Sequence, residues 1–299
     1  PVDTPLKNAF VALDGDRLIA FRGFFINTYQ LNGRTFPVAV LGDAVTDPSY
    51  QRQGIFSKLT RHSLDYYKQN GLFAIIALSS NEKSSAGYIK LGWEPFARKK
   101  INIRPVLSSL IPIKKLQRYS LTRKLRKSKA GLSFTDHMTE TLAIELAEYC
   151  AGRYPANQVG LFKDKRFWMY RYAAPHQDYR FIVLKVGPAT TGYACYMESV
   201  GSRNGMRHVK LLDISALTDA CFDLLISAIE TRTYSKLMLA YMSSPATTEA
   251  RRIGRRFRIV KYEHRNNASD NILVKPICTE TDVTGPHAWG LSYIDIDSM

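Results

Sequence analysis

Apolar and polar residues alternate at the start of the chain. Asn8 to Leu13 and Leu18 to Ile26 read as two strands joined by Asp14-Gly15-Asp16, a tight hairpin signal. Asn32-Gly33 marks a second tight turn, so a third strand over Phe36 to Thr46 returns antiparallel to the second. Its apolar run, Val38 to Thr46, feeds a turn at Asp47-Pro48 and then Gly54, where the hydrophobic period becomes helical. From Ile55 to Asn70, the residues Ile55, Phe56, Leu59, Ser63, Tyr66 and Tyr67 share one predicted face. Lys58, Arg61, Asp65 and Lys68 lie on the other, with His62 at the boundary. Phe73 to Leu78 is apolar at every position, as expected of a central strand covered on both sides. Strand, helix and strand in this order predict a parallel βαβ unit.

Ser80 or Asn81 then caps a short helix through Lys90, Gly92 stops it, and Trp93 to Ile103 is the next expected strand. A second series begins after Gly131. Helices are expected over Thr139 to Ala151, Thr218 to Thr231 and Thr247 to Arg256. Strands are expected over Tyr179 to Val186, Thr191 to Val200, His208 to Ile214, Lys236 to Met242, Phe257 to Tyr262 and Asn271 to Val274. The order of elements repeats that of the first half without repeating its sequence.

Composition adds bounds. The 299 residues suffice for one large domain or two ordinary ones, and no apolar run approaches the length of a membrane span. Cys150, Cys195, Cys221 and Cys278 are widely spaced and form no C-x-x-C pair, which fits reduced thiols in a cytoplasmic protein and no metal site. Asp295 and Asp297 lack the neighbours a metal loop needs. The formal net charge of +16 calls for an anionic partner. Much of it comes from Arg98 to Lys129, which holds twelve Lys or Arg and no Asp or Glu. That segment reads first as a basic linker, and second as a membrane-surface patch or a groove for an anionic substrate.

Candidate chemistry centres on Gly54. Backbone N–H groups in a first helical turn lack intrahelical partners, and the helix dipole adds partial positive charge there, so the junction suits a phosphate. Gln51, Arg52, Gln53, Gly54, Ile55, Phe56 and Ser57 are the residues in place to hold one.

Gln51-Arg52-Gln53-Gly54-Ile55-Phe56 resembles the acyl-CoA motif of the GNAT acetyltransferase superfamily. Asn81 with Tyr88-Ile89-Lys90-Leu91-Gly92-Trp93 resembles that superfamily's second signature. The resemblance implies an α+β fold of two tandem GNAT-like domains, each a mixed, mostly antiparallel sheet flanked by helices. The first spans 1–104 and binds acyl-CoA, 105–133 is the basic linker, and 134–299 is a degenerate second domain. It also implies direct transfer of an acetyl or other acyl group from a CoA thioester to an amine. In that scheme Tyr88 is the acid for the departing thiolate, Ala44, Val45 and Thr46 carry the oxyanion donor, and Asn81 belongs to the cofactor site. Asp43, on the same strand, is the best carboxylate for the base, set against a plain structural role near a bulge. Phe56 stands where the superfamily has Gly or Ala. The superfamily's first strand and first two helices are missing upstream, and since the chain begins at Pro1, trimming is the simplest account.

In the second half the corresponding junction, Leu211 to Cys221, has no glycine, and Asp219 would repel phosphate. One cofactor site is therefore expected. Trp168 and Tyr170 read as core aromatics, with a wall of the acceptor cleft as the alternative. Arg251, Arg252, Arg255, Arg256 and Arg258 read as a solvated helix face. The acceptor implied by tandem bacterial relatives is a small amine such as an amino sugar or a surface-polysaccharide precursor. The alternatives are a non-catalytic module binding nucleic acid or an anionic membrane, and a Fem-like transferase using aminoacyl-tRNA. The intact first-half phosphate loop argues against the nucleic-acid module.

Overall fold

The computed structural model describes residues 6–77, 82–98, 100–106, 111–153, 157–173, 178–200, 205–242, 248–260, 271–277 and 289. Both hairpin signals act as expected: β1 (Ala9–Asp14), β2 (Arg17–Leu31) and β3 (Arg34–Thr46) form an antiparallel meander. A 3-10 turn, Pro48–Tyr50, leads into α1 (Ile55–Gln69), and β4 (Ala74–Ala77) pairs with β3 in parallel. The predicted stripe of α1 is the buried one, with Leu59, Ser63 and Tyr67 fully covered and Ile55, Phe56 and Tyr66 half-buried. The short helix α2 (Glu82–Lys90) ends before Gly92, whose φ of +82° is the left-handed stop a glycine takes without strain.

Beyond Trp93 the single expected strand is two: β5 (Glu94–Arg98) and β6 (Lys100–Pro105). The segment expected to be a linker contains α3 (Ile111–Ser128) and the start of β7 (Ala130–Thr135). The elements that follow are α4 (Glu140–Ala151), β8 (Gly160–Leu161), α5 (Lys165–Tyr172), β9 (Tyr179–Val186), β10 (Ala189–Val200) and β11 (Arg207–Ala216). Last come α6 (Asp219–Arg232), β12 (Leu237–Met242), α7 (Thr248–Arg256), β13 (Arg258–Val260) and β14 (Asn271–Pro276).

Two mixed sheets result. The first runs β1-β2-β3-β4-β14-β5, with β8 added to β2, and the second runs β13-β6-β12-β11-β10-β9-β7. Each contains one parallel pair, β3 with β4 and β11 with β12, bridged by α1 and α6 respectively. The repeat expected from element order is thus a repeat of topology. One strand is exchanged in each direction. β14, from the end of the chain, fills the gap between β4 and β5, and β6, from the first half, fills the gap between β12 and β13. The sheets therefore do not divide the chain at 104 and 133, and Asn271 to Val274 belongs to the first sheet. Side chains fix both exchanges. Ile272, Leu273 and Val274 are fully buried between their neighbours, and Arg104 of β6 is ion-paired to the buried Glu230 of α6 at 2.6 Å.

The basic helix α3 packs on the second sheet as well. Leu121 is buried there, and the Lys114 ammonium donates to the Thr233 carbonyl at 3.2 Å. Between α3, the end of α6 and the second sheet lies an open groove of about 830 Å³, lined by Leu121, Phe134 and the arginines Arg118, Arg180 and Arg232.

The central strands alternate between two cores. Val38, Val40, Ala74 and Ile76 join a cluster shared with Leu146, Trp168, Tyr193 and Trp289, so the halves are packed through one apolar body. Ala39, Leu41, Ile75 and Ala77 face α1 and α2 instead. This two-sided burial is what an unbroken apolar strand foretells. Trp168 is wholly buried, as expected, whereas Tyr170 is 84% exposed and is no core residue. No described helix is long and apolar enough to cross a membrane.

Candidate functional site

The junction between β3 and α1 is braced from outside. Asp47 accepts from the Ser49 backbone N–H at 2.9 Å and pairs with Arg17 at 2.8 Å; the Tyr50 hydroxyl donates to Asp14 at 2.7 Å. The Gln51 and Gln53 side-chain amides donate back to the Thr46 and Ser49 carbonyls. These glutamines therefore tie the loop together, and the backbone is left to meet a ligand. Gly54 is the N-cap of α1 with φ +75° and ψ 7°, and Arg52 is also left-handed at φ +62°. No side chain caps the helix, no acidic residue stands in its first turn, and a Cβ built on Gly54 meets nothing within 4 Å. The first-turn N–H groups of Ile55, Phe56 and Ser57 thus have no side-chain cap, the arrangement that suits an anion.

Next to this junction, β3 loses its parallel neighbour. Its ladder with β4 covers Val38, Ala39 and Val40 only, so Leu41 to Thr46 pairs with β2 alone among the described residues. A bulge lies in the same stretch, where Gly42 and Asp43 of β3 oppose Gly23 of β2. A Cβ on Gly42 would sit 3.2 Å from the Gly23 carbonyl, so glycine is what permits the approach. Asp43 is exposed on this bulge, and its carboxylate has no hydrogen bond or ion pair among the described residues.

Tyr88 lies beneath the junction, 4% exposed, with ring centroids 5.6 Å from Phe56 and 5.3 Å from Trp93. Phe56, the departure from the superfamily pattern, is accommodated by Gly87, where any Cβ would stand 3.3 Å from the Phe56 ring. Burial raises the Tyr88 phenol above its ordinary value, while the nearby Arg22 guanidinium pulls it down. Arg22 was not foreseen as part of the site. Its Cζ is 5.2 Å from the Tyr88 ring centroid and 5.9 Å from that of Phe56. The signal for it was present, because Ala20, Arg22 and Phe24 share one strand face and only Arg22 is polar. Asn81, expected at the cofactor site, lies outside the described residues, as do Asp295, Asp297 and Cys278.

Elsewhere the second half departs from expectation. Arg252 of α7, expected on a solvated face, is buried and donates to the Asp219 carboxylate at 2.8 Å and the Ala216 carbonyl at 2.6 Å. Arg256 pairs with Asp223. Cys150 and Cys195 are buried in the shared core, and burial pushes the Cys150 thiol up to about 11, so neither is an activated nucleophile.

The profile of the acetyltransferase (GNAT) domain family matches residues 4–96. A GCN5-related N-acetyltransferase from Kribbella flavida superposes with a TM-score of 0.61 at 12% identity, covering 90% of this chain and 59% of that one. A probable N-acyltransferase from Enterococcus faecalis gives a TM-score of 0.64 at 10% identity, covering 90% and 62%. A GCN5-related N-acetyltransferase from Anabaena variabilis gives a TM-score of 0.62 at 12% identity, covering 91% and 63%. This chain thus spans less than two thirds of the length of these structures, and at such identities the likeness is one of fold. No curated protein matches the chain in sequence. Residues 4–96 therefore match the acetyltransferase (GNAT) domain family, and the fold of the described chain is similar to that of solved GCN5-related N-acetyltransferases.

Proposed function

We propose that the chain is an acyl-CoA-dependent N-acyltransferase, passing an acyl group directly from the thioester to a small amine. The observation that carries this reading is the α1 N-terminus, uncapped, free of acidic residues and open at Gly54, beside the stretch of β3 that pairs with β2 alone among the described residues. Gln51 to Ser57 would hold the diphosphate of the co-substrate through backbone N–H groups. A bound thioester supplies an electrophilic carbonyl carbon. One N–H among Ala44, Val45 and Thr46 is suited to its developing oxyanion. Tyr88, kept protonated at neutral pH by burial, serves as the acid for the thiolate. Asp43, exposed and unpaired, takes the proton that an alkyl ammonium with a pKa of about 10 must lose before it attacks. In its narrower form the reading makes the acceptor an amino sugar or a surface-polysaccharide precursor. Support for that comes from the tandem fold, and from a net charge of +16 that suits a nucleotide-linked acceptor.

Calorimetric titration with acetyl-CoA tests the reading, and saturable binding at one site is expected. Absence of that binding, with tight and salt-sensitive binding of RNA in its place, would transfer the case to the nucleic-acid or aminoacyl-tRNA alternative. Tyr88→Phe is expected to lower kcat by roughly 10²-fold while leaving acetyl-CoA affinity nearly unchanged. Full activity in that variant would remove Tyr88 from the acid role.

A further inference from the structure

A guanidinium taken out of water needs a counter-charge or hydrogen bonds to offset its lost hydration. Arg22 is 1% exposed, and none of its three side-chain nitrogens makes a hydrogen bond of good geometry, with the Tyr88 hydroxyl a polar group close enough to interact with it. Its surroundings are aromatic, with the Phe24, Tyr88 and Phe56 ring centroids 5.0, 5.2 and 5.9 Å from Cζ. Attraction to ring faces offsets only part of the cost. The packing does not ask for a charge, because Ala20 and Phe24, its neighbours on that face of β2, are apolar.

A group that becomes negative during turnover would explain the arrangement. Two hydroxyls border Arg22. Tyr67 of α1 donates its proton to the Lys7 carbonyl at 2.7 Å and is thereby committed. Tyr88 of α2 has no such partner among the described residues, and Arg22 is the charged group that acts on it directly. We propose that Arg22 is a positioning residue for Tyr88, keeping the phenol in place and stabilising the phenolate left when Tyr88 gives up its proton.

This rests on the acyltransferase reading of the site. In that step the amine nitrogen bonds to the thioester carbonyl carbon, and the C–S bond breaks with its electron pair on sulfur. The Tyr88 hydroxyl proton moves to the sulfur. The phenolate then recovers a proton through solvent from the nitrogen that has become an amide. Arg22 remains cationic throughout.

Three measurements on Arg22→Met and Arg22→Lys test the proposal. Tyrosine labelled at Cζ with ¹³C, with the Tyr88 signal assigned by its absence in Tyr88→Phe, gives the phenol titration directly and requires no turnover. In Arg22→Met the Tyr88 midpoint is expected to rise by about one pH unit or more, and in Arg22→Lys to lie between that and wild type. Arg22→Met is also expected to melt at or above the wild-type temperature, since it replaces an unpaired buried charge by an apolar chain of similar length. If the enzyme acetylates an amine, kcat of Arg22→Met falls about tenfold or more with the KM for acetyl-CoA within about twofold, and the alkaline limb of the pH–rate profile moves up. An unchanged Tyr88 midpoint overturns the proposal. So does an Arg22→Met protein that melts lower or does not fold, since that makes the charge structural. Failure to bind acetyl-CoA would instead sink the acyltransferase reading and leave the titration to judge the electrostatic pairing by itself.

Discussion

The molecule contains the same junction twice, and the two copies have opposite fates. In each, a strand with a bulge leads through a turn into a helix and then a parallel strand. In the first half the helix begins at Gly54 with no side-chain cap, no acid and free space above it. In the second, α6 begins at Thr218, whose hydroxyl oxygen accepts from the Cys221 N–H at 3.1 Å. Asp219 stands in its first turn, and the buried Arg252 bonds both Asp219 and the Ala216 carbonyl. The helix dipole that the first junction leaves for a ligand is neutralised from within at the second. An anion site at a helix N-terminus is therefore not a property of topology. It depends on whether the side chains leave the N–H groups unanswered.

The largest effect is expected where the comparison is broken most directly. Gly54→Asp gives the first junction the negative charge that the second already has. A carboxylate close to a diphosphate costs about 2–4 kcal/mol at the effective dielectric of a protein surface, which is roughly 30-fold to 10³-fold in acetyl-CoA affinity. Gly54→Asn has nearly the same shape and the same tolerance of a left-handed backbone but no charge, so it is expected to lose far less. Calorimetry with both variants separates charge from geometry. Equal losses would mean that space at Gly54, rather than an anionic ligand, is what matters, and unchanged affinity would mean that the phosphates bind elsewhere.

The second junction is expected to be structural, so its disruption shows up in stability alone. Arg252→Met leaves the Ala216 carbonyl without its side-chain donor and Asp219 without its principal partner. Loss of hydrogen bonds of this kind costs about 1–3 kcal/mol, which lowers the melting temperature by several degrees in a chain of this size. Acetyl-CoA affinity is expected to stay at the wild-type value. A variant that melts normally but loses acetyl-CoA binding would show that the two halves are coupled through their shared core.

What could be read from the sequence was what is decided locally. Asp14-Gly15 and Asn32-Gly33 fix their hairpins, Thr139 and Thr218 cap their helices, and the step from period two to a helical period locates α1. The strand exchange was not legible. β6 alternates polar and apolar residues and β14 has an apolar centre, both ordinary strand patterns, and nothing local says that each pairs with elements distant in the chain. The basic segment misled for a related reason. Its charges suggested a solvated linker, while Leu121, buried in the core of the second half, and Lys114, which donates to the Thr233 carbonyl at the end of α6, anchor it to that half. At the candidate site, the Gly54 loop and Tyr88 were singled out by motif, and the structure places Tyr88 against Phe56 of that loop's helix. Arg22 carries no motif, only a charge on an otherwise apolar strand face, and its meaning appears once α2 lays Tyr88 over it.

The smallest effect concerns pH, where the two junctions are expected to behave alike despite their different fates. Asp47 is held below the ordinary aspartate value, first by the Ser49 N–H and then by Arg17, and Asp219 is held below it chiefly by Arg252. A carboxyl with a depressed value in the folded protein binds fewer protons than in the unfolded chain, so its stabilisation is complete above the unfolded pKa of about 3.9 and disappears as pH falls through the lower, folded value. Both junctions should therefore loosen below about pH 4 and be indifferent to pH between about 5 and 8. Asp219 is exposed and Asp47 half-buried at the surface, so each contribution is small and weakens with salt. Asp47→Asn and Asp219→Asn are each expected to flatten the acid side of the melting-temperature profile slightly, and only Asp47→Asn to loosen acetyl-CoA binding. If Asp219→Asn weakened that binding as much as Asp47→Asn does, the second junction would have to contribute to the ligand site, and the division into one open and one closed copy would fail.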